Sequence, residues 1–279
     1  MSVLEVQNLS VRFGRRPPAV TEVSFHLDAG ERLGVIGESG SGKTVTALAV
    51  MGLLAENAEL SGSIDLAGHR ITTLSERELA RLRGDLVTMV FQEPMTALDP
   101  TMPVGRQVAE TLLLHSAIEH RLARRRVIEL LAEVGLSDPQ RVAASFPHQL
   151  SGGQRQRAVL AMALINSPEL VICDEPTTAL DVTVQAQVLA KLDQILTVSG
   201  AACLFISHDL AVVSQLCDRV LVMLDGRVVE RGTVDELFRA PQHPYTRGLV
   251  AAASLERIEP GQRLPTVADF TATEPRQEG

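Results

Sequence analysis

Short apolar runs recur along this chain, each ending abruptly in polar or glycine residues: Arg32–Ile36, Leu86–Phe91, Leu170–Cys173, Ala202–Ile206 and Val220–Leu224. Their length and β-branched content predict buried strands. Between them, stretches of helical spacing predict helices over 45–51, 106–116, 121–134, 158–165, 182–196 and 210–216. Residues 3–9 and 20–27 predict a half-buried strand pair, in which Val20, Val23, Phe25 and Leu27 are spaced by polar residues while 3–9 alternates only imperfectly. A short strand follows at 62–68, and Ser75-Glu76-Arg77-Glu78 opens a capped helix that Gly84 ends. From about 95 to 150 the strand signal vanishes and Gly135, Pro139 and Pro147 punctuate helical segments, which reads as an inserted helical lobe. Strands alternating with helices place the chain in the α/β class.

Gly37-Glu38-Ser39-Gly40-Ser41-Gly42-Lys43-Thr44 fits G-x-x-x-x-G-K-[ST] and sits between a strand and a helix, the context that a phosphate-cradling loop requires. Its glycines let backbone N–H groups close on an anion at the positive end of the helix. Lys43 is then placed for the β- and γ-phosphates and the Thr44 hydroxyl for Mg²⁺. A second anion site is predicted at Leu150-Ser151-Gly152-Gly153-Gln154, where Ser151 caps a helix and two glycines expose its first N–H groups.

Acids and other polar residues stand at the ends of the apolar runs. Asp174 and Glu175 close one of them, where charge is costly unless it acts on a cation or on water. Asp174 is assigned to Mg²⁺ and Glu175 to the attacking water. Gln92 and His208 end neighbouring runs, where open α/β sheets place their chemistry. Gln92 reads equally as a ligand or a turn residue, and His208 as a γ-phosphate contact or a helix cap. Phe13, in the turn-rich stretch 11–18, has two readings, a small core or a ring offered to a purine. Asp181 caps the helix that follows it.

Composition narrows the function. A net charge of −8 and 3% aromatic residues argue against a nucleic-acid partner. No apolar run approaches a membrane span, and the N-terminus lacks the pattern of a signal peptide, so a cytosolic protein is expected. The three cysteines, Cys173, Cys203 and Cys217, lack metal or redox spacing and read as buried thiols. Arg121, Arg124, Arg125 and Arg126 lie at helical spacing beside Glu119 and Glu129, as a solvated face does.

Taken in order, Gly37–Thr44, Gln92, Leu150–Gln154, Asp174–Glu175, Asp181 and His208 resemble the ATP-binding subunit of an ABC transporter over about residues 3–235. Residues Phe91–Pro100, Ala179–Gln187 and His243-Pro244-Tyr245-Thr246-Arg247 resemble, more narrowly, the oligopeptide, dipeptide and nickel importer branch, and within it the first of two sibling ATPases. The resemblance implies a P-loop NTPase core with a small antiparallel β subdomain (residues 1–94 and 151–235), a helical subdomain (95–150) and a C-terminal extension (236–279); the Thr, Glu, Pro and Gln content of its end, 271–279, which lies outside the residues described below, reads as disordered. It implies ATP and Mg²⁺ as ligands, with Thr44, Gln92 and Asp174 around the metal, and makes Phe13 an adenine-stacking residue. Ser151, Gly152, Gly153 and Gln154 join the nucleotide set through the opposite subunit of a head-to-tail pair, and Asp181 is counted in the nucleotide set as well.

The implied partners are a sibling ATPase, two transmembrane permease subunits and, indirectly, an extracytoplasmic substrate-binding protein, with this chain on the cytoplasmic face of the membrane. Many members of the branch carry a cysteine-bearing tail that can hold an iron–sulfur cluster. No cysteine follows Cys217 here, so no cluster is expected. Other readings fit less well. A P-loop kinase has no use for Leu150–Gln154, and a chromosome-type ATPase would need sustained heptads that 95–150 lacks.

Overall fold

The chain opens with β1 (Ser2–Phe13) and β2 (Val20–Asp28), runs through β3 (Arg32–Ile36) into α1 (Lys43–Val50), and returns as β4 (Ala58–Leu66) and a short β5 (His69–Arg70). The computed structural model describes residues 2–91, 97–177 and 181–253. Strands β2-β1-β4-β5 form one antiparallel sheet. β1 runs through Phe13, into the stretch read above as a turn-rich loop. Its poor alternation has a physical cause: its pairing with β2 shifts register between Ser2 and Leu4, between Val6 and Leu9, and between Leu9 and Val11. Asn8 takes φ 51° within this irregular stretch. Each shift moves the apolar side chains out of strict period-2 phase, so both Val3 and Leu4 are buried.

The Ser75–Glu78 capping box starts α2 (Glu76–Leu82), and β6 (Val87–Val90) follows. Three helices then replace strands: α3 (Val104–His115), α4 (His120–Glu133) and α5 (Pro139–Ala144). Pro139, read as a breaker, instead starts α5 at the position where its missing N–H costs nothing, with Asp138 as cap. Arg125 and Arg126 on α4 pair with Glu129 and Glu133 at the surface. The remaining elements are α6 (Gly152–Leu164), β7 (Leu170–Asp174), α7 (Val182–Ser199), β8 (Ala202–Ser207), α8 (Leu210–Leu216), β9 (Arg219–Leu224), β10 (Arg227–Thr233), α9 (Val234–Arg239) and α10 (Pro244–Ala253).

The larger sheet has the order β10-β9-β3-β8-β7-β6, parallel from β9 to β6, with β10 antiparallel at one edge. The parallel strands are buried on both faces, which explains their continuous apolar runs. In β8, Cys203 and Phe205 join a core with α3, α4 and α6, whereas Ala202, Leu204 and Ile206 join a second core with α1 and the antiparallel sheet. Helices α9 and α10, which lie mostly in the stretch set apart from 236 onward, pack back: Leu237 and Tyr245 are buried in the first core. Parallel strands bring their carboxyl ends to one edge. Register pairs Ile36 with Ser207 and Ile206 with Asp174, so the loops after β3, β8 and β7 emerge side by side.

Candidate functional site

The loop after β3 is shaped by contacts that only glycine permits. At Gly42, φ is +99° and a Cβ would lie 2.7 Å from the Ala19 carbonyl oxygen, so the turn into α1 has no room for a side chain. α1 carries no acid in its first turn, which leaves the positive end of its dipole facing the loop. Lys43 is buried, and its Nζ donates to the carbonyls of Gly37 (2.7 Å) and Glu38 (2.8 Å). Burial lowers its pKa, and the charges of Glu175, Asp174 and Glu38 offset part of that shift. An ammonium held so, short of solvent and of a fixed counter-ion contact, is ready for an anion.

Asp174 ends β7 at 4% exposure. Desolvation raises its pKa against the opposing bond from the Thr44 hydroxyl, and Glu175 adds to the rise. Among the described residues its buried Oδ1 has no hydrogen-bond partner. An orphaned carboxylate oxygen beside a hydroxyl fits a hard cation. Among the described residues no group of three or more His, Cys, Asp or Glu could hold a metal alone, so most ligands of such a cation would come from phosphate and water, as Mg²⁺ prefers.

Glu175 takes φ +48°, uncommon for a residue with a side chain, and its N–H donates to Ile206 O at 2.9 Å. With His208, Lys43 and the loop it lines a cavity of about 670 Å³, to which Leu249 of α10 also contributes. Thus Gly37, Glu38, Ser39, Gly40, Gly42, Lys43, Thr44, Glu175 and His208 converge on one space. Ser41 is buried beneath it. Phe13 does not line this space; it lies at the end of β1, partly buried against the second core. Gln92 lies outside the described residues.

Ser151, Gly152, Gly153 and Gln154 line a different cavity, of about 420 Å³, together with Asp181. Ser151 and Gln154 form a reciprocal cap at the start of α6: Gln154 N–H donates to Ser151 Oγ and Ser151 N–H to Gln154 Oε1. The Asp181 carboxylate accepts from Val184 N–H at 3.0 Å and so caps α7. The two cavities share no lining residue.

The profile of the ABC transporter family matches residues 20–178. The chain belongs to that family. A second profile, the C-terminal region of oligopeptide/dipeptide transporters, matches residues 229–277 of the cassette. The cassette is 51% identical over 255 residues to the peptidoglycan transport ATP-binding protein YejF of Agrobacterium fabrum, covering 90% of this chain but only 47% of that protein. It is 46% identical over 256 residues to the oligopeptide transport ATP-binding protein AppD of Bacillus subtilis, covering 90% of this chain and 78% of that one. Among solved structures, the dimeric post-hydrolysis state of the ATP-binding cassette MJ0796 bound to ADP and Pi matches with a TM-score of 0.74 at 26% identity, over 83% of this chain and 98% of that chain. The fold is therefore that of an ABC ATPase. Among its described residues no helix is long and apolar enough to cross a membrane.

Sequence reasoning passed over two residues at the site, Leu249 and Tyr245. Tyr245 is 1% exposed, and its hydroxyl oxygen accepts the Glu38 N–H at 2.8 Å. The signal was there as a His-Pro-Tyr-Thr-Arg match with no role attached. The thiols of Cys173 and Cys203, remote in sequence, interact across the paired strands β7 and β8. That contact and burial raise the Cys173 pKa well above the ordinary value, and burial does the same for Cys217.

Proposed function

We propose that this cassette hydrolyses MgATP in a head-to-tail pair with a second cassette and so powers import of peptides through two membrane subunits, with Mg²⁺ held by Thr44, Asp174 and Gln92. The observation that carries this reading is the separation of two anion sites in one chain: Lys43, Glu175 and His208 line one cavity, and Ser151-Gly152-Gly153 another. One chain cannot close both on a single phosphate, so a partner's α6 must cover this loop. Peptide as cargo is supported by the names of the relatives and by the match to the transporter C-terminal region.

The chemistry is positioning and charge. Loop amides and Lys43 bind the phosphates, and Lys43 gives up its carbonyl partners to do so. Mg²⁺ would neutralise phosphate charge and orient the β- and γ-oxygens. Glu175 orients the water and accepts its proton, and His208 meets the γ-phosphate from the neighbouring strand end. Phe13, outside the phosphate cavity, is assigned to the adenine ring. Gln92 and the helical lobe pass closure to the membrane subunits, and a binding protein delivers cargo from the far side. The cassette works at the cytoplasmic face beside a sibling ATPase.

Reconstitution in liposomes tests this, with the membrane subunits plus this chain alone or plus its sibling. Peptide-stimulated ATPase activity that needs both chains is expected. Full coupled activity with this chain alone would replace the sibling by a second copy, and no peptide stimulation with both would remove peptides as the cargo.

A further inference from the structure

The peptide units around Glu38 are gripped from two sides. Lys43 Nζ holds the Glu38 carbonyl at 2.8 Å, and Tyr245 Oη holds the Glu38 N–H at 2.8 Å. Lys43 is a temporary holder, because phosphates draw its ammonium away from the loop carbonyls. Tyr245 is not, since it comes from α10 and has no competing role in phosphate binding.

Its own position is fixed. The Glu230 carboxylate accepts the N–H groups of Gln242 (2.7 Å) and His243 (2.9 Å), and the Tyr245 N–H donates to His243 Nδ1 at 3.2 Å. Desolvation alone would raise the Glu230 pKa, but the Gln242 N–H, the Thr246 side chain and the His243 N–H together outweigh it and the value lies below the ordinary one, so the clamp is charged at neutral pH. The Tyr245 phenol is pushed up to about 12 by burial and stays protonated. One helical turn on, Leu249 lines the phosphate-loop cavity, and α10 packs on α8, which begins just after His208.

We propose that Tyr245 is a positioning residue for the phosphate loop, and that through it nucleotide binding and the docking of α10 are coupled. The inference rests on the ATPase reading above. With the Glu38 N–H held, the first turn of the loop keeps its shape when Lys43 swings to phosphate. Without it, the peptide between Gly37 and Glu38 is free to rotate, and binding must order it. By linkage, bound nucleotide must in turn secure α10. The C-terminal region thus acts on the nucleotide site rather than serving as an appendage.

The test uses the full chain. Tyr245→Phe keeps the ring and removes the acceptor; it is expected to weaken MgATP binding by about 5-fold, the scale of one hydrogen bond. In the reconstituted transporter the same change should raise KM and leave kcat within about 2-fold. Glu230→Ala, which frees the other end of the clamp, should do likewise. Hydrogen exchange needs no variant: in the wild type, MgATP should slow exchange over residues 245–253, and in Tyr245→Phe that protection should be lost. Wild-type affinity in Tyr245→Phe, or α10 exchange indifferent to MgATP in the wild type, would overturn the coupling. A wild-type chain that bound no MgATP would instead overturn the ATPase reading, and the inference with it.

Discussion

His208 Nδ1 lies 3.2 Å from Glu175 Oε1, linking the carboxyl ends of β8 and β7 across the mouth of the phosphate-loop cavity. Glu175 is the inner partner, its side chain 16% exposed against 57% for His208. The left-handed backbone of Glu175 and its bond to Ile206 aim the carboxylate where sterics alone would not put it, and such strain persists only where the surroundings enforce it. Glu175→Gln keeps shape and backbone but loses the proton acceptor. MgATP binding should survive and turnover in the assembled transporter should fall by ~10²–10⁴. Wild-type turnover in that variant would remove Glu175 from the chemistry.

Asp174 gives a stability prediction of unusual sign. Burial raises its folded-state pKa above the unfolded value, so the folded protein binds the proton more tightly and loses stability as pH rises through that window. At neutral pH the ionised carboxylate is a net cost in the nucleotide-free chain. Asp174→Asn should therefore raise the melting temperature by about 2 °C or more, flatten the acid side of the stability profile and abolish Mg²⁺-dependent nucleotide binding. Thermal scans from pH 4 to 8 without nucleotide decide it. A less stable variant at pH 7 would show that the Thr44 bond and the attraction of Lys43 outweigh the cost of burial.

Much of this arrangement was legible in the sequence because it rests on local rules. The larger sheet was readable since strands buried on both faces have apolar runs of strand length, and the two anion loops because glycine, cap and helix follow one another directly. What stayed hidden depends on contacts remote in sequence. The register shifts of β1 are set by pairing with β2. Tyr245 meets Glu38 only because α10 folds back over the sheet. That Asp181 belongs with Ser151 rather than with Lys43 follows from the placement of α7 beside α6, which no motif spacing encodes.

Cys173, Cys203 and Cys217 are all buried with no disulfide. For Cys173 and Cys217, thiolates are suppressed by burial and by neighbouring thiols. Thiol-specific disulfide reagents at pH 8 should leave these two unreacted over minutes in the folded chain, and all three should react at once in denaturant. Rapid labelling of Cys173 in the folded chain would mean that the sheet opens locally.

Gly152 and Gly153 open α6 in the second cavity, apart from Lys43. A Cβ at Gly153 would lie 2.7 Å from Val184 Cγ1, with no other neighbour within 4 Å, whereas at Gly152 it would meet nothing. Val184 is β-branched and sits in the first turn of α7, so it cannot yield by a rotamer change without disturbing that turn. Gly153→Ala should push the start of α6 away from α7 and from the Asp181 cap, misplacing the N–H groups proposed to face a partner's nucleotide. Overpacking of this kind costs on the order of 1–3 kcal/mol, enough to lower coupled ATPase activity about 10-fold or more. Since none of these residues lines the Lys43 cavity, MgATP binding by the isolated chain should not change. The double variant Gly153→Ala, Val184→Ala removes the obstructing methyls and should recover most of the activity. Recovery places the defect at the contact between α6 and α7. Persistent loss in the double variant would instead show that the alanine methyl itself obstructs the nucleotide, and weakened MgATP binding by the isolated chain would show that the two cavities communicate within one chain.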